Sequence, residues 1–70
     1  MPLTLARQGH NHKVMAINGP EATRMRLVNM GITAGIPVRV ISRSPSSILV
    51  SVRDTRIMLD NRLALQIYVQ

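Results

Sequence analysis

Residues 38–60 read VRVISRSPSSILVSVRDTRIMLD. Val38 and Val40 alternate with Arg39 and Ile41. Beyond Ser44-Pro45-Ser46-Ser47, Ile48, Val50 and Val52 alternate with Leu49, Ser51 and Arg53. Ile57 and Leu59 then alternate with Arg56, Met58 and Asp60. A two-residue period marks half-buried strands, because successive side chains point to opposite faces. The Ser/Pro stretch separates the first run from the second. The Asp54-Thr55 link between the second and third is short enough for a tight hairpin. The period returns once more, in Leu65, Ile67 and Val69 against Gln66, Tyr68 and Gln70. Four such runs in succession specify a sheet.

Toward the N-terminus, His12–Ile17 is a fifth apolar run with poor alternation, since Val14, Met15, Ala16 and Ile17 are contiguous. Such a strand is either buried on both faces or carries a bulge. Between it and the four runs lies one helix, predicted over Pro20–Met30. Pro20 suits the first helical position, with Gly19 or Asn18 as cap. Glu21 complements the dipole in the first turn, and Gly31 supplies a left-handed stop. Ala22, Met25 and Val28 fall at three-residue spacing, as do Leu27 and Met30, giving the expected apolar face. Asn61–Ala64 reads as a single helical turn capped by Asp60 or Asn61. The order is strand, helix, then four strands with one helical turn inserted. A short sheet buries its apolar face best by curling. The expectation is a mainly β fold: an SH3-like five-stranded barrel, closed so as to hide its edges, forming a single domain over residues 1–70.

Composition narrows function. The chain has 70 residues and no cysteine, which removes disulfides, thiolate metal sites and a cysteine nucleophile. No apolar run is long enough to span a membrane and the first ten residues lack a signal-peptide pattern, so the cytoplasm is the expected location. Nine Lys and Arg stand against Glu21, Asp54 and Asp60, for a net charge of +6. Such a surface attracts an acidic protein, nucleic acid or anionic lipid. Tyr68 is the one aromatic residue, so no platform exists for stacking single-stranded bases. The carboxylates are scattered, no serine sits in a recognisable motif with a histidine, and no glycine-rich phosphate loop is present. No enzymatic activity is expected.

The chain resembles the FeoA (ferrous iron transport protein A) family. The resemblance rests on Leu3-x-Leu5, Gly9, Val14-x-x-Ile17, then Arg26-Leu27-x-x-Met30-Gly31-Ile32-x-x-Gly35-x-x-Val38-x-Val40, Pro45, and Leu65-x-Ile67-x-Val69. The helix-end pattern Leu-x-x-Met-Gly-Ile-x-x-Gly is its most specific part. Ser46-Ser47, Asp54 and Leu63-Ala64 depart from the family pattern in the loops. The resemblance implies an SH3-like barrel and an accessory role in bacterial ferrous iron uptake. The implied partner is the cytosolic, GTPase-bearing part of the FeoB transporter, which would recruit the protein to the inner membrane. The same domain resembles the C-terminal module of DtxR-type metal-dependent repressors. Alternative readings are therefore a metal-responsive regulatory domain and a small basic barrel that binds nucleic acid through phosphates.

Partner binding is expected at Leu27 on the helix and at Arg39, Arg43, Arg53 and Arg56. Leu27 and Val28 lie 100° apart, so the helix has more apolar surface than one stripe, and Leu27 is the expected exposed contact. On a regular strand Arg39 and Arg43 share a face. Arginine suits bidentate pairing with carboxylates or phosphates. His10 and His12 form an H-x-H pair, with alpha carbons roughly 6–7 Å apart on a strand. Two ligands without a third make at most a weak or adventitious site for iron or zinc, and no cofactor is required. Met15, Met25, Met30 and Met58 read as core filling. An edge strand leaves homodimerisation open.

Overall fold

The alternating runs all become strands. The computed structural model describes residues 1–70. Strand β1 is Asn11–Ile17, helix α1 Glu21–Asn29, β2 Pro37–Arg43, β3 Ser47–Val52, β4 Thr55–Asp60, α2 Asn61–Ala64 and β5 Ile67–Val69. A 3-10 turn at Leu3–Leu5 precedes β1; no periodicity announced it. The sheet is antiparallel throughout, in the order β4-β3-β2-β1-β5.

Two bulges bend it. In β1, Val14 opposes Val69 and Ala16 opposes Tyr68, so Met15 is the extra residue. This resolves the contiguous apolar run at 14–17: a bulge, not burial on both faces. The bulge is also where β1 passes from pairing with β2 (Asn11–Lys13) to pairing with β5 (Val14–Ile17). In β2, Val40 opposes Val50 and Ser42 opposes Leu49, which leaves Ile41 as the extra residue. The curl stops short of closure, because β4 and β5 do not pair. The expectation that closure would hide both edges is therefore corrected. The gap is filled by side chains, Leu3 and Ala6 from the 3-10 turn and Leu63 and Ala64 from α2, all buried. Asp60 caps α2, its Oδ1 accepting the Leu63 N–H at 2.9 Å.

The core holds fifteen buried residues, every one leucine, isoleucine, valine or alanine. The methionines are not among them. Met15 stands out from its bulge, Met25 from α1 and Met58 from β4, and Met30 alone packs against the core. The reading of these side chains as core filling is corrected for three of the four.

Helix α1 is shorter than expected at both ends. Pro20 has extended backbone (φ −60°, ψ 155°) and stands at the cap instead of inside the first turn. The C-terminal end explains the Leu-x-x-Met-Gly-Ile pattern. Gly31 adopts φ +91°. Its N–H donates to the Val28 carbonyl and the Ile32 N–H to the Leu27 carbonyl, both at 2.9 Å. This is a Schellman motif, in which the residues flanking the glycine meet through their side chains. Here those residues are Leu27 and Ile32, each 0% exposed. The helix is thus anchored through its last turn, while Ala22, Met25 and Val28, expected on its buried face, are exposed.

The β3–β4 turn is also shifted by one residue. Val52 opposes Thr55, so the two turn residues are Arg53 and Asp54, with φ +50° and +65°. A two-residue hairpin with both φ positive normally takes Asn-Gly or Asp-Gly.

Two predictions follow from these backbones. Leu27→Ala lowers the unfolding free energy by about 2–5 kcal/mol, whereas Val28→Ala, one residue on, changes it by less than about 0.5 kcal/mol. Asp54→Gly relieves a left-handed residue and raises stability by about 1 kcal/mol. Urea denaturation of the three variants measures each effect.

Candidate functional site

Arginine concentrates on the outer face of β2, β3 and β4. Pairing places Arg39 opposite Ser51, and Ser51 opposite Arg56. Directly opposed residues share a face, so the two guanidinium groups rise from one row, two strand spacings apart, roughly 9–10 Å. Between them Ser51 is half-buried and too short to shield either charge. Arg39 and Arg56 line a shallow depression of about 240 Å³ with Ile41, Gln8 and Gly9. Arg39 also lines a second one of about 260 Å³ with Arg53, Asp54, Asn11 and Ser51. The turn therefore holds Arg53 beside Arg39 from the other side. Three of the four expected arginines converge on this face, with Asp54 at its margin and Asp60 at the far end of β4.

Arg43 does not join them. The bulge at Ile41 shifts the alternation of β2 by one residue. Arg43 comes to oppose Ile48, which points into the core. Its Nη2 donates to the Ala6 carbonyl, tying the end of β2 to the N-terminal segment. It lines a separate cleft of about 260 Å³ with Thr4, Ser44, Ile48, Asn61 and Leu65. The expectation that Arg39 and Arg43 share a face is corrected: it held only for a strand without a bulge.

Leu27 is corrected as well. It is 0% exposed and packs in the core, so no partner reaches it in this conformation. The helix residue left outside is its neighbour Val28, 41% exposed, with Met25 beside it one turn earlier. The sequence spread of apolar positions was real, but it could not say which of the two positions faced inward. Sequence reasoning also missed Met58. At 62% exposure it stands on the outer face of β4, two residues from Arg56. Strand alternation already placed Met58 opposite to Ile57 and Leu59, which was the available signal.

The histidines are separated by their surroundings. His10 lies in the bend before β1 and is exposed. His12 is half-buried, with Nδ1 3.2 Å from the Gln70 carbonyl oxygen and Nε2 3.2 Å from the Arg7 carbonyl oxygen. Both of its ring nitrogens face main-chain acceptors, whereas a metal ligand must direct a bare nitrogen at the ion. No three His, Asp or Glu side chains gather into a metal-binding group. The His12 ring lies between the segment before β1 and the chain beyond β5, and in either neutral tautomer its N–H donates to one of the two carbonyls. His12→Ala is expected to lower stability by about 1 kcal/mol, and His10→Ala to leave it unchanged, in the same denaturation assay.

No polar or charged side chain is buried. Burial is the usual means by which proteins prepare a group for acid–base chemistry. What this fold presents is surface. No helix is long and apolar enough to cross a membrane.

Comparison with known proteins places this geometry. The FeoA domain model matches residues 1–70. A candidate Fe(2+) transport protein A of Methanocaldococcus jannaschii is 30% identical over 69 residues, which covers 99% of this chain and 84% of that protein. The crystal structure of an iron uptake regulatory protein (FeoA) is 31% identical and superposes with a TM-score of 0.92, over all of this chain and 95% of that one. A manganese-dependent transcriptional repressor superposes with a TM-score of 0.90 over 99% of this chain and 40% of its own, at 22% identity, a likeness of fold alone. The Schellman end of α1 and the bent five-stranded SH3-like sheet thus belong to a chain of the FeoA domain family, with relatives among the proteins of ferrous iron transport.

Proposed function

We propose that this chain is a non-enzymatic accessory protein of ferrous iron uptake. In this reading it works in the cytoplasm by docking its arginine-bearing strand face on the cytosolic, GTPase-bearing domain of the FeoB transporter, which brings it to the inner membrane. The observation that carries the reading is the convergence of Arg39, Arg53 and Arg56 on one exposed face of an FeoA-family domain. Guanidinium groups fixed on strands present planar forks to carboxylates at little conformational cost. Ile41 and Met58 add apolar surface to the same face. Recognition of this kind combines steering by charge with a small desolvated centre.

The charge of +6 also suits a phosphate backbone, so duplex DNA is the necessary control. An amide titration of the labelled protein with the purified cytosolic domain of the cognate transporter, at physiological salt, tests the proposal. Saturable shifts at Arg39, Ser51, Arg53 and Arg56 are expected, with weak and diffuse shifts from DNA. Arg39→Glu combined with Arg56→Glu is expected to weaken the complex at least about tenfold, without changing the urea midpoint by more than a surface substitution does. Strong shifts with DNA and none with the transporter domain overturn the reading.

A further inference from the structure

The two edges of the sheet are finished differently. The β5 edge is closed by the chain's own first residues. The Met1 amino group donates to the Val69 carbonyl at 2.9 Å, the Val69 N–H donates to the Met1 carbonyl at 2.7 Å, and Pro2 bridges to Tyr68. The β4 edge has no such cover. It runs six residues with no proline, and its register with β3 is unbroken from Ser47↔Asp60 to Val52↔Thr55. No turn, loop or cap hydrogen bond reaches the backbone of Arg56 or Met58. Natural edge strands are usually shortened, bulged, interrupted or charged to prevent pairing. β4 has two exposed charges, Arg56 and Asp60, and none of the other devices.

The hydrogen-bonding phase of that edge follows from the turn. A two-residue turn makes Val52↔Thr55 a hydrogen-bonded pair, and such pairs alternate along an antiparallel ladder. Ile57 and Leu59 therefore bond to β3. The same phase calls for a bond between Asn61 and Ser46, and the Asn61 N–H does donate to the Ser46 carbonyl at 3.0 Å. Arg56, Met58 and Asp60 must then direct their amides away from β3. Arg56 and Met58 each offer an N–H and a carbonyl. Asp60, as the cap of α2, commits its carbonyl to the helix and offers its N–H.

We propose that β4 pairs with β4 of a second copy of this chain, antiparallel, about a two-fold axis at Met58. In that register Met58 opposes Met58, Arg56 opposes Asp60, and Ile57 opposes Leu59. The Met58 pair can exchange both of its hydrogen bonds, and each Asp60 N–H faces the Arg56 carbonyl of the other copy. On the outer face two Arg56–Asp60 ion pairs flank the two thioethers. Asp60 uses Oδ1 on the Leu63 N–H and keeps its other oxygen for the guanidinium. On the inner face half-buried Ile57 opposes Leu59, which is already wholly buried in its own core. Of the neighbouring registers that keep the phase, an axis at Leu59 leaves one in-strand hydrogen-bonded pairing, Met58 with Asp60, and runs Arg56 onto Arg62 of α2, and the others fail on charge. An axis at Ile57 sets Asp54 against Asp60, and one at Arg56 sets arginine against arginine. The edge carries its own complement four residues away, which argues for a second copy over a foreign strand. A strand-only contact is smaller than the roughly 1,200 Å² of a standard interface, and two bodies of charge +6 repel at a distance. The dimer is consequently weak and concentration-dependent.

A charge swap tests this. Sedimentation equilibrium over a concentration series is run on the wild type, on Arg56→Asp, on Asp60→Arg and on an equimolar mixture of the two variants, with circular dichroism confirming that each is folded. The wild type is expected to shift from monomer toward dimer as concentration rises. Each variant alone opposes like charges and stays monomeric. The mixture restores two Asp–Arg pairs and regains the dimer. Met58→Pro, which removes an outward N–H without touching the β3 ladder, serves as a variant independent of the α2 cap and is expected to be monomeric. The proposal is overturned by a wild type that is monomeric at every concentration, by a dimer that survives in Arg56→Asp or Met58→Pro, or by a mixture of folded variants that stays monomeric.

Discussion

Five short strands have to be bent around fifteen aliphatic side chains that include no aromatic ring, and every other feature of the molecule is arranged by that constraint. Small side chains need a tight enclosure to shed water, and a flat sheet of this length leaves one side of them wet. The bulges at Met15 and Ile41 supply the bend. The buried pairs Leu3/Ala6 and Leu63/Ala64 fill the wedge that bending leaves between β4 and β5. The Schellman end of α1 lowers Leu27 and Ile32 into the same interior. None of these devices needs a polar group inside, and none is found there.

The bend also decides what the surface can do. The extra residue at Ile41 separates Arg43 from Arg39 and ties it to the N-terminal segment through the Ala6 carbonyl. It leaves Arg39, Arg53 and Arg56 as the group that faces outward together. A positive surface made this way is a property of strand register, so its spacing is set by backbone geometry more than by side-chain choice.

Much of this was legible in the residues. The period of two located four strands, Asp60 announced the cap of α2, and Gly31 announced the end of α1. The charged face was half legible, because alternation places Arg39 and Arg56 but says nothing of a bulge that reverses Arg43. Bulges leave no periodic trace when the extra residue is itself apolar, as Met15 and Ile41 are. The 3-10 turn at Leu3–Leu5 is too short to have a period. The inward residue of α1 was misassigned because a helix anchored by one turn has no broad buried stripe to reveal its phase. The Arg53-Asp54 turn was displaced by one position because Arg53 carries no preference for the positive φ that its backbone demands. The methionines were misplaced because hydropathy ranks them with leucine, whereas the β1 bulge, the outer side of α1 and strand parity send Met15, Met25 and Met58 outward.

The pairing of residues 1 and 2 with residues 68 and 69 bears on the order in which the chain folds. The β2–β3–β4 meander joins neighbours in sequence and has only short loops to close. β1 can add to β2 next, across α1. Its second half, however, has no partner until Ile67–Val69 exist, and the N-terminal residues have nothing to bridge until Tyr68 does. On the ribosome β5 emerges after the other four strands, so the strand that locks β1 comes last of the five. Until then, Val14 and its neighbours are held on one side only, and the nascent domain has two loose edges instead of one.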